Sequence, residues 1–417
     1  MSNKSEKDLK VSMLNVSDIH GGAARAAYRI HHALRRYGVD SNMFVQDSAA
    51  DDWTVLGPKN KLSKVINKVR FPLARTVNML LHTENPTLHS SSIIPSGWSK
   101  LLDSIETDVA HLHWVNNEMM SVRDIGNIRK PMLWTFHDMW AFCGGEHYTE
   151  DRRWIDGYMK GNRPSYESGF DLNRWVWKRK SHYWKKPMQI VTPSNWLGDC
   201  VRKSKLMHDW PVTVIPNAID TDVWCPVDRM LARQMLGLPV DIPLLLFGAM
   251  GGTIDRRKGY DLLRDALMHL HGEIDDLQLV VFGQIAPKEP ENLGFPVHYM
   301  GHLHDDVTLK LLYSAADVMV IPSRQDNLPN TGVESLSCGT PVVAFNTCGL
   351  PDIVSHKKTG YLAKSFDTED LAHGIKWLLS NSDPDVMRRS SREHAVKSWS
   401  YENIAQQYIN IYRKIIS

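Results

Sequence analysis

The chain lacks any long apolar run: the first, residues 11–16, is far too short for a membrane span, and nothing later approaches the roughly 18 apolar residues that a span requires. Any contact with a membrane is therefore expected to be peripheral. Cysteine is scarce and scattered. Cys143, Cys200, Cys225, Cys338 and Cys348 are odd in number and show no metal-ligand spacing, which fits a reducing compartment and a cytoplasmic protein. Charge of one sign is not in excess, since a net charge of +2 gives no overall pull toward nucleic acid and leaves electrostatic partners to local patches. The opening MSNKSEKDLK is polar and is followed by no signal-peptide core. Internal repeats and low-complexity tracts are absent as well.

What is present is ordinary globular material. A chain of 417 residues, 42% hydrophobic and 23% charged, is long enough for two domains that each bury a substantial core. Strand and helix patterns alternate in two series. The first predicts strands at 11–16, 41–46, 109–113, 132–136 and 189–192, with a glycine loop at 20–23 and a helix at 24–37. The second predicts strands at 243–248, 277–283 and 297–300 and helices at 260–271 and 306–315. Strand, helix, strand implies a parallel sheet. The turn-rich segment VTVIPNAIDTDVWCP, with Asn217 and Asp220, marks the crossing between domains spanning 1–210 and 211–397. Residues 401–416 are amphipathic with helical spacing.

The most informative stretch is PSRQDNLPNTGVESLSCGTPVVAFNTCGLPDIV, residues 322–354. It predicts a loop at 322–329 after a strand at 318–321, then a helix at 331–338 and a strand at 341–345. In parallel sheets, ligands bind where loops leave the carboxyl ends of strands. Asp326 falls there, the helix's first amides at Asn330 and Thr331 face any phosphate placed there, and Glu334 lies one turn in. An ionised carboxylate accepts from two vicinal hydroxyls at once, with hydrogen bonds to charged groups contributing about 1.5–3 kcal/mol each. A loop cap and a solvated helix face are the bland alternative for two acids alone; the flanking PS, SCGTPVV and GLPDIV segments favour a site.

With Asp326 and Glu334 eight apart, this stretch resembles the Glu-x7-Glu motif of glycosyltransferase family four, retaining enzymes of the GT-B fold. The resemblance implies an α/β architecture of two Rossmann-like domains with parallel sheets facing a central cleft, and a carboxyl-terminal helix, within 398–417, that crosses back to the first domain. It implies that Glu334 binds the ribose of a UDP- or GDP-sugar and that Asp326 contacts the transferred sugar. Two departures stand out. Asp326 is one methylene shorter than the usual Glu, and Pro329 replaces a common Gly whose amide faces the sugar; proline has no N–H to offer. The sugar pocket is expected to be rearranged.

Further residues take roles from the same resemblance. Gly21 and Gly22, which open the first helix, match a diphosphate loop, and glycines let backbone amides approach a phosphate. The rival reading, a dinucleotide loop, lacks G-x-G-x-x-G because the two glycines are adjacent. His137 in LWTFHDMW matches a histidine beside the donor sugar; the alternative is a core histidine satisfied by Asp138 or a carbonyl. Of His111 and His113, one is expected in the core and one near the cleft. Lys258 matches a Lys-Gly position that stabilises the departing diphosphate. Its usual arginine partner is replaced by Ala249, leaving Arg256 or Arg257 to substitute. Many relatives with GGxHY carry cysteine where Glu146 stands, so no zinc is expected, and the resemblance itself implies no other metal cofactor. No protein nucleophile is assigned, in keeping with a front-face mechanism.

Two basic stretches bear on the acceptor. Residues 59–81 contain Lys59, Lys61, Lys64, Lys68, Arg70 and Arg75 and no acid, with Leu62, Val65, Ile66 and Val69 at i, i+3, i+4 and i+7; Leu73, Val77, Leu80 and Leu81 continue the pattern beyond Pro72. Residues 174–186, RWVWKRKSHYWKK, mix tryptophan and tyrosine with cations. Both suit anionic lipid headgroups, and both equally suit a core-facing helix with a solvated side. No nucleic-acid module accompanies them. The expectation is an enzyme of bacterial surface-polysaccharide assembly (O-antigen, capsule or exopolysaccharide) passing a sugar to a lipid-linked saccharide, cytoplasmic or peripheral on the inner membrane face. A GT-B nucleotide-sugar epimerase or hydrolase, or a non-catalytic membrane scaffold, is the alternative.

Overall fold

The computed structural model describes residues 9–58, 61–248, 255–274, 276–289, 291–303, 305–380 and 383–417. The chain divides into two compact units, residues 1–216 with 404–417, and residues 217–403. The crossing thus falls at Pro216 rather than 210, and the return at Ile404 rather than 398.

In the first unit, the described strands form a seven-stranded sheet in the order Val55–Leu56, Asp40–Asp47, Lys10–Ser17, Val109–Leu112, Met132–Thr135, Gln189–Thr192, Val212–Val214. Every neighbouring pair is parallel. The order reverses beside Lys10–Ser17, where the chain winds outward first one way and then the other. Inner strand Val109–Leu112 is buried at every position, apolar except for His111, as a parallel strand covered on both faces requires. Helix Gly22–Arg36 buries mainly alanines, Ala24, Ala26, Ala27 and Ala33, with Ile30 and Leu34.

Of the aromatics of 174–186, Trp184 is buried and Trp175, Trp177 and Tyr183 are half-buried, which is the core-facing one of the two readings. Helix Leu172–Tyr183 buries Val176 and Lys180, and Trp184 just beyond it is 4% exposed, its Nε1 donating to the Val122 carbonyl at 2.8 Å. Lys180 Nζ donates to the carbonyls of Trp140, Cys143 (3.1 Å) and Gly144 (2.7 Å) and lies 3.7 Å from the Trp140 ring centroid. Burial pushes this ammonium down to about 7. Lys180 clamps the loop that follows Met132–Thr135, and it and Trp184 are committed to the protein interior, while Lys178, Lys185 and Lys186 remain exposed.

The terminal helix Tyr401–Ile416 buries Ile404, Tyr408, Ile409 and Tyr412. Within the first unit, the Tyr412 hydroxyl lies 2.7 Å from His111 Nδ1, and the Tyr408 hydroxyl 3.1 Å from Thr135 Oγ1.

The second unit repeats the scheme among its described strands: Val297–Tyr299, Gln278–Phe282, Leu244–Gly248, Val318–Ile321, Val342–Phe345, Gly360–Ala363, all parallel. The pleat sends alternate residues to opposite faces. Leu245, Phe247, Val318 and Val320 pack with Leu263 of helix Tyr260–Met268 and Leu371 of helix Thr368–Ser380. Leu244, Leu246, Met319 and Ile321 pack with Leu312 of helix Asp306–Ala315 and Leu336 of helix Asn330–Ser337. The strand order reverses between Leu244–Gly248 and Val318–Ile321, the crevice where open α/β sheets bind ligands.

Candidate functional site

In the second unit, the loops leaving those two strands carry the expected residues and bring two of them together. A short 3-10 turn, Arg256–Lys258, is capped by Asp255, and Gly259 follows at φ +68°. A Cβ at Gly259 would lie 1.9 Å from the Pro322 carbonyl oxygen, so only glycine lets the Lys258 turn rest on the start of the 322–329 loop. Lys258 Nζ then reaches Asp326 Oδ2 at 2.7 Å, while the Asn327 N–H donates to Asp326 Oδ1 at 3.0 Å.

Arg257 is tied to Asp255 at 2.6 Å and Arg256 is exposed; Ala249 lies outside the described residues. Arg324 links the two loops instead. Its backbone N–H donates to the Arg257 carbonyl at 2.7 Å, and its guanidinium grips Asp261 at 2.6 and 2.7 Å and the Arg256 carbonyl at 3.1 Å. This pairing holds the Asp261 carboxyl below its usual range.

Helix Asn330–Ser337 begins at Pro329, which offers no capping side chain, and has no acid in its first turn, so its amino end keeps its positive potential. Asn330 Oδ1 accepts from Asn217 Nδ2 at 3.2 Å, and Thr331 follows it in the first turn. Glu334 is buried, and its Oε2 accepts from the Tyr313 hydroxyl at 2.9 Å. Tyr313 is fully buried against Phe282 and Trp224. Sequence reading missed Tyr313 because it lies in an apolar helical pattern and looks like ordinary core; no local signal marks its hydroxyl.

In the first unit, Gly21 caps helix Gly22–Arg36 at φ 96° and ψ 167°, a conformation open to glycine alone. Gly22 is the first helical residue, and no acid occupies the first turn. His137 follows strand Met132–Thr135, and its Nε2 lies 3.0 Å from His113 Nδ1 with the rings stacked at 5.3 Å. One ring donates and the other accepts. Burial pushes His137 down to about 4 and His113 well below its ordinary value, so both are neutral near pH 7. Both His111 and His113 are buried.

Asp138 serves other partners. Its Oδ2 accepts from Trp114 Nε1 at 2.8 Å and faces His147 Nδ1 at 2.6 Å, and its Oδ1 accepts from the Trp140 N–H at 2.9 Å. His147 Nε2 in turn lies 2.8 Å from Ser90 Oγ. Glu146 accepts from the Tyr158 hydroxyl, and burial raises it to about 7. Among the described residues, no group of three or more His, Cys, Asp or Glu is arranged to hold a metal ion.

Solved structures share this architecture across nearly the whole chain. Sucrose-phosphate synthase of Thermosynechococcus elongatus superposes with a TM-score of 0.68 at 19% identity, covering 98% of this chain and 99% of that one. Anabaena HepE, solved with UDP and glucose, gives 0.64 at 16% identity, covering 97% and 100%. The fold is GT-B: α/β, with two Rossmann-like units built on parallel sheets. The family description "Glycosyltransferase Family 4" matches residues 20–223 and "Glycosyl transferases group 1" matches residues 245–397. The chain belongs to the group 1, family 4 glycosyltransferases, which are retaining enzymes. It is 29% identical over 275 residues to alpha-maltose-1-phosphate synthase of Mycolicibacterium smegmatis, covering 59% of this chain and 67% of that protein. It is 34% identical over 196 residues to a D-inositol 3-phosphate glycosyltransferase of a Mycobacterium species, covering 44% of this chain and 43% of the relative. The chain thus spans about half the length of the D-inositol 3-phosphate relatives that it matches.

Proposed function

We propose that the protein transfers a sugar, with retention at the anomeric carbon, from a UDP- or GDP-sugar to a lipid-linked saccharide in bacterial surface-polysaccharide assembly. The observation that carries the donor half is the meeting of Lys258 and Asp326 at the strand-order reversal, with buried Glu334 one turn into the adjoining helix. In this reading Glu334 accepts from the ribose hydroxyls and Asp326 from the transferred sugar. Lys258 and the start of helix Asn330–Ser337 offset the charge that builds on the departing diphosphate. For the first unit, the same reading gives Gly21 and Gly22 the role of presenting backbone amides to a diphosphate, and neutral His137 that of offering a hydrogen bond to a sugar. The bond from the anomeric carbon to phosphate breaks, the acceptor oxygen bonds from the same face, and its proton passes to the leaving phosphate. No residue is assigned as nucleophile and no metal is assigned a step.

A second acceptor reading, a soluble phosphorylated polyol, is favoured by the relatives named for D-inositol 3-phosphate. The test is nucleoside diphosphate release from a panel of UDP-, GDP- and ADP-sugars, alone, with membrane lipid extract, and with inositol phosphate. Release that requires the lipid extract supports the first reading, and release that requires inositol phosphate supports the second. Release without any acceptor indicates hydrolysis or epimerisation, and silence with every donor sinks the transferase reading.

Tyr313 provides a finer check on the ribose role. Tyr313→Phe removes the hydroxyl that orients Glu334, a hydrogen bond to a charged group, and is expected to weaken nucleoside diphosphate binding about tenfold. Calorimetric titration of wild type and variant measures this; equal affinity would count against Glu334 as the ribose ligand.

A further inference from the structure

We propose that helix Lys61–Asn78, with Leu80 and Phe170 beside its end, is a docking surface for an anionic lipid bilayer. The helix presents three distinct sectors. With Val65 set at zero and about 100° per residue, Ile66, Val69 and Leu73 fall within an arc of about 100°. All three, and Val65, are exposed, as are Leu80 and Phe170, at 41–58% of their surface. Phe170 joins the stripe because its N–H donates to the Leu80 carbonyl at 2.8 Å.

A second sector faces the protein. Ala74, Asn67 and Asn78 lie at about 180–220° on the same wheel. Ala74 is buried, Asn67 Nδ2 donates to the Gln46 carbonyl at 3.3 Å, and Asn78 Nδ2 donates to the His89 carbonyl at 2.9 Å. Arg70, expected among the lipid-facing cations, is part of this inner attachment: it donates to the carbonyls of Glu118, Ile94 and Pro95 at 2.7–2.8 Å. The helix is fixed by polar bonds on one side, which leaves its apolar stripe facing outward.

The third sector names the occupant. Lys61, Lys64 and Arg75, all exposed, lie at about 260–320°, along one flank of the stripe. No acid occurs anywhere from 59 to 81. Apolar side chains flanked by cations, with no ion pair to them among the described residues, suit the headgroup boundary of an anionic bilayer, whereas protein interfaces are depleted in lysine. Among the described residues no helix is long and apolar enough to cross a membrane, so this contact is peripheral. The surface stands independently of the sugar-transfer reading.

The experiment is co-sedimentation of the full chain with phosphatidylcholine vesicles, with and without phosphatidylglycerol. Binding is expected to require phosphatidylglycerol and to weaken with added salt. Ile66→Glu with Leu73→Glu should reduce it at least tenfold, and Lys64→Gln about fivefold, the equivalent of about 1 kcal/mol per cation. Met235→Glu, an equally exposed position in the second unit, should leave binding unchanged, with circular dichroism confirming that each variant folds. Equal binding by wild type and the double variant would overturn the proposal. So would failure of wild type to bind phosphatidylglycerol vesicles, or a dimer, abolished by the double variant, in place of vesicle binding.

Discussion

Lys258→Ala is expected to lower kcat for sugar transfer by about 10²–10³-fold, the cost of removing one preorganised group that faces developing charge. The ammonium is held at 2.7 Å from Asp326 before any donor arrives, and the loop that carries it is fastened by the Gly259 approach to Pro322 and by the Arg324–Asp261 pair. Such a group acts without reorganisation at the moment of bond breaking. Because the diphosphate gains charge as it departs, the loss should fall mainly on kcat, with a smaller rise in KM for the donor. Steady-state kinetics on the donor found active in the release assay measures the split. A kcat close to wild type would remove Lys258 from the leaving-group role.

Acid is expected to unfold the first unit under mild conditions, between about pH 6.5 and 4. Burial lowers His31 to about 3 and His89 and His137 to about 4, and holds His111 and His113 well below 6.5. Burial keeps these rings neutral, and their nitrogens are placed among hydroxyls: His31 lies 2.8 Å from both Ser41 Oγ and Thr54 Oγ1, and His111 sits between Thr135 and Tyr412. In that pH window the unfolded chain binds more protons than the folded one, so stability falls as pH drops. Each such histidine contributes up to about 1.4 kcal/mol per pH unit. Glu118, Glu146 and Glu167 act in the opposite sense, because burial raises them and the folded state then holds the extra proton. Five histidines outweigh three glutamates, and a domain stable by about 5–15 kcal/mol has little margin. Denaturant unfolding at pH 7, 6 and 5, followed by the fluorescence of the core tryptophans Trp134, Trp140 and Trp184, should show a falling midpoint. A midpoint unchanged from pH 7 to pH 5 would refute it.

Elements whose pattern is local were legible in the chain. Strand Val318–Ile321 and helices Asp306–Ala315 and Tyr401–Ile416 lie where apolar runs and helical spacing put them. Asp326 and Lys258 could be assigned to loops at the carboxyl ends of strands before their contact was known. The pairings that support them were hidden: Tyr313 with Glu334, Arg324 with Asp261, and His113 with His137 each join residues on different elements. Side-chain chemistry at one position carries no mark of the partner that packing will bring to it.

The two basic stretches show the same limit most plainly, since composition allowed either reading for both. In 172–183 the helix turns toward the core and Lys180 ends against three carbonyls; in 61–78 the inner contacts are made by asparagines and Arg70, and the apolar stripe is left outside. The sequence by itself determined the two parallel-sheet units, the loops that carry Gly21, His137, Lys258 and Asp326, and the family. The tertiary structure alone decided which face of each amphipathic helix is buried and which polar groups share a hydrogen bond, because both depend on the element packed opposite.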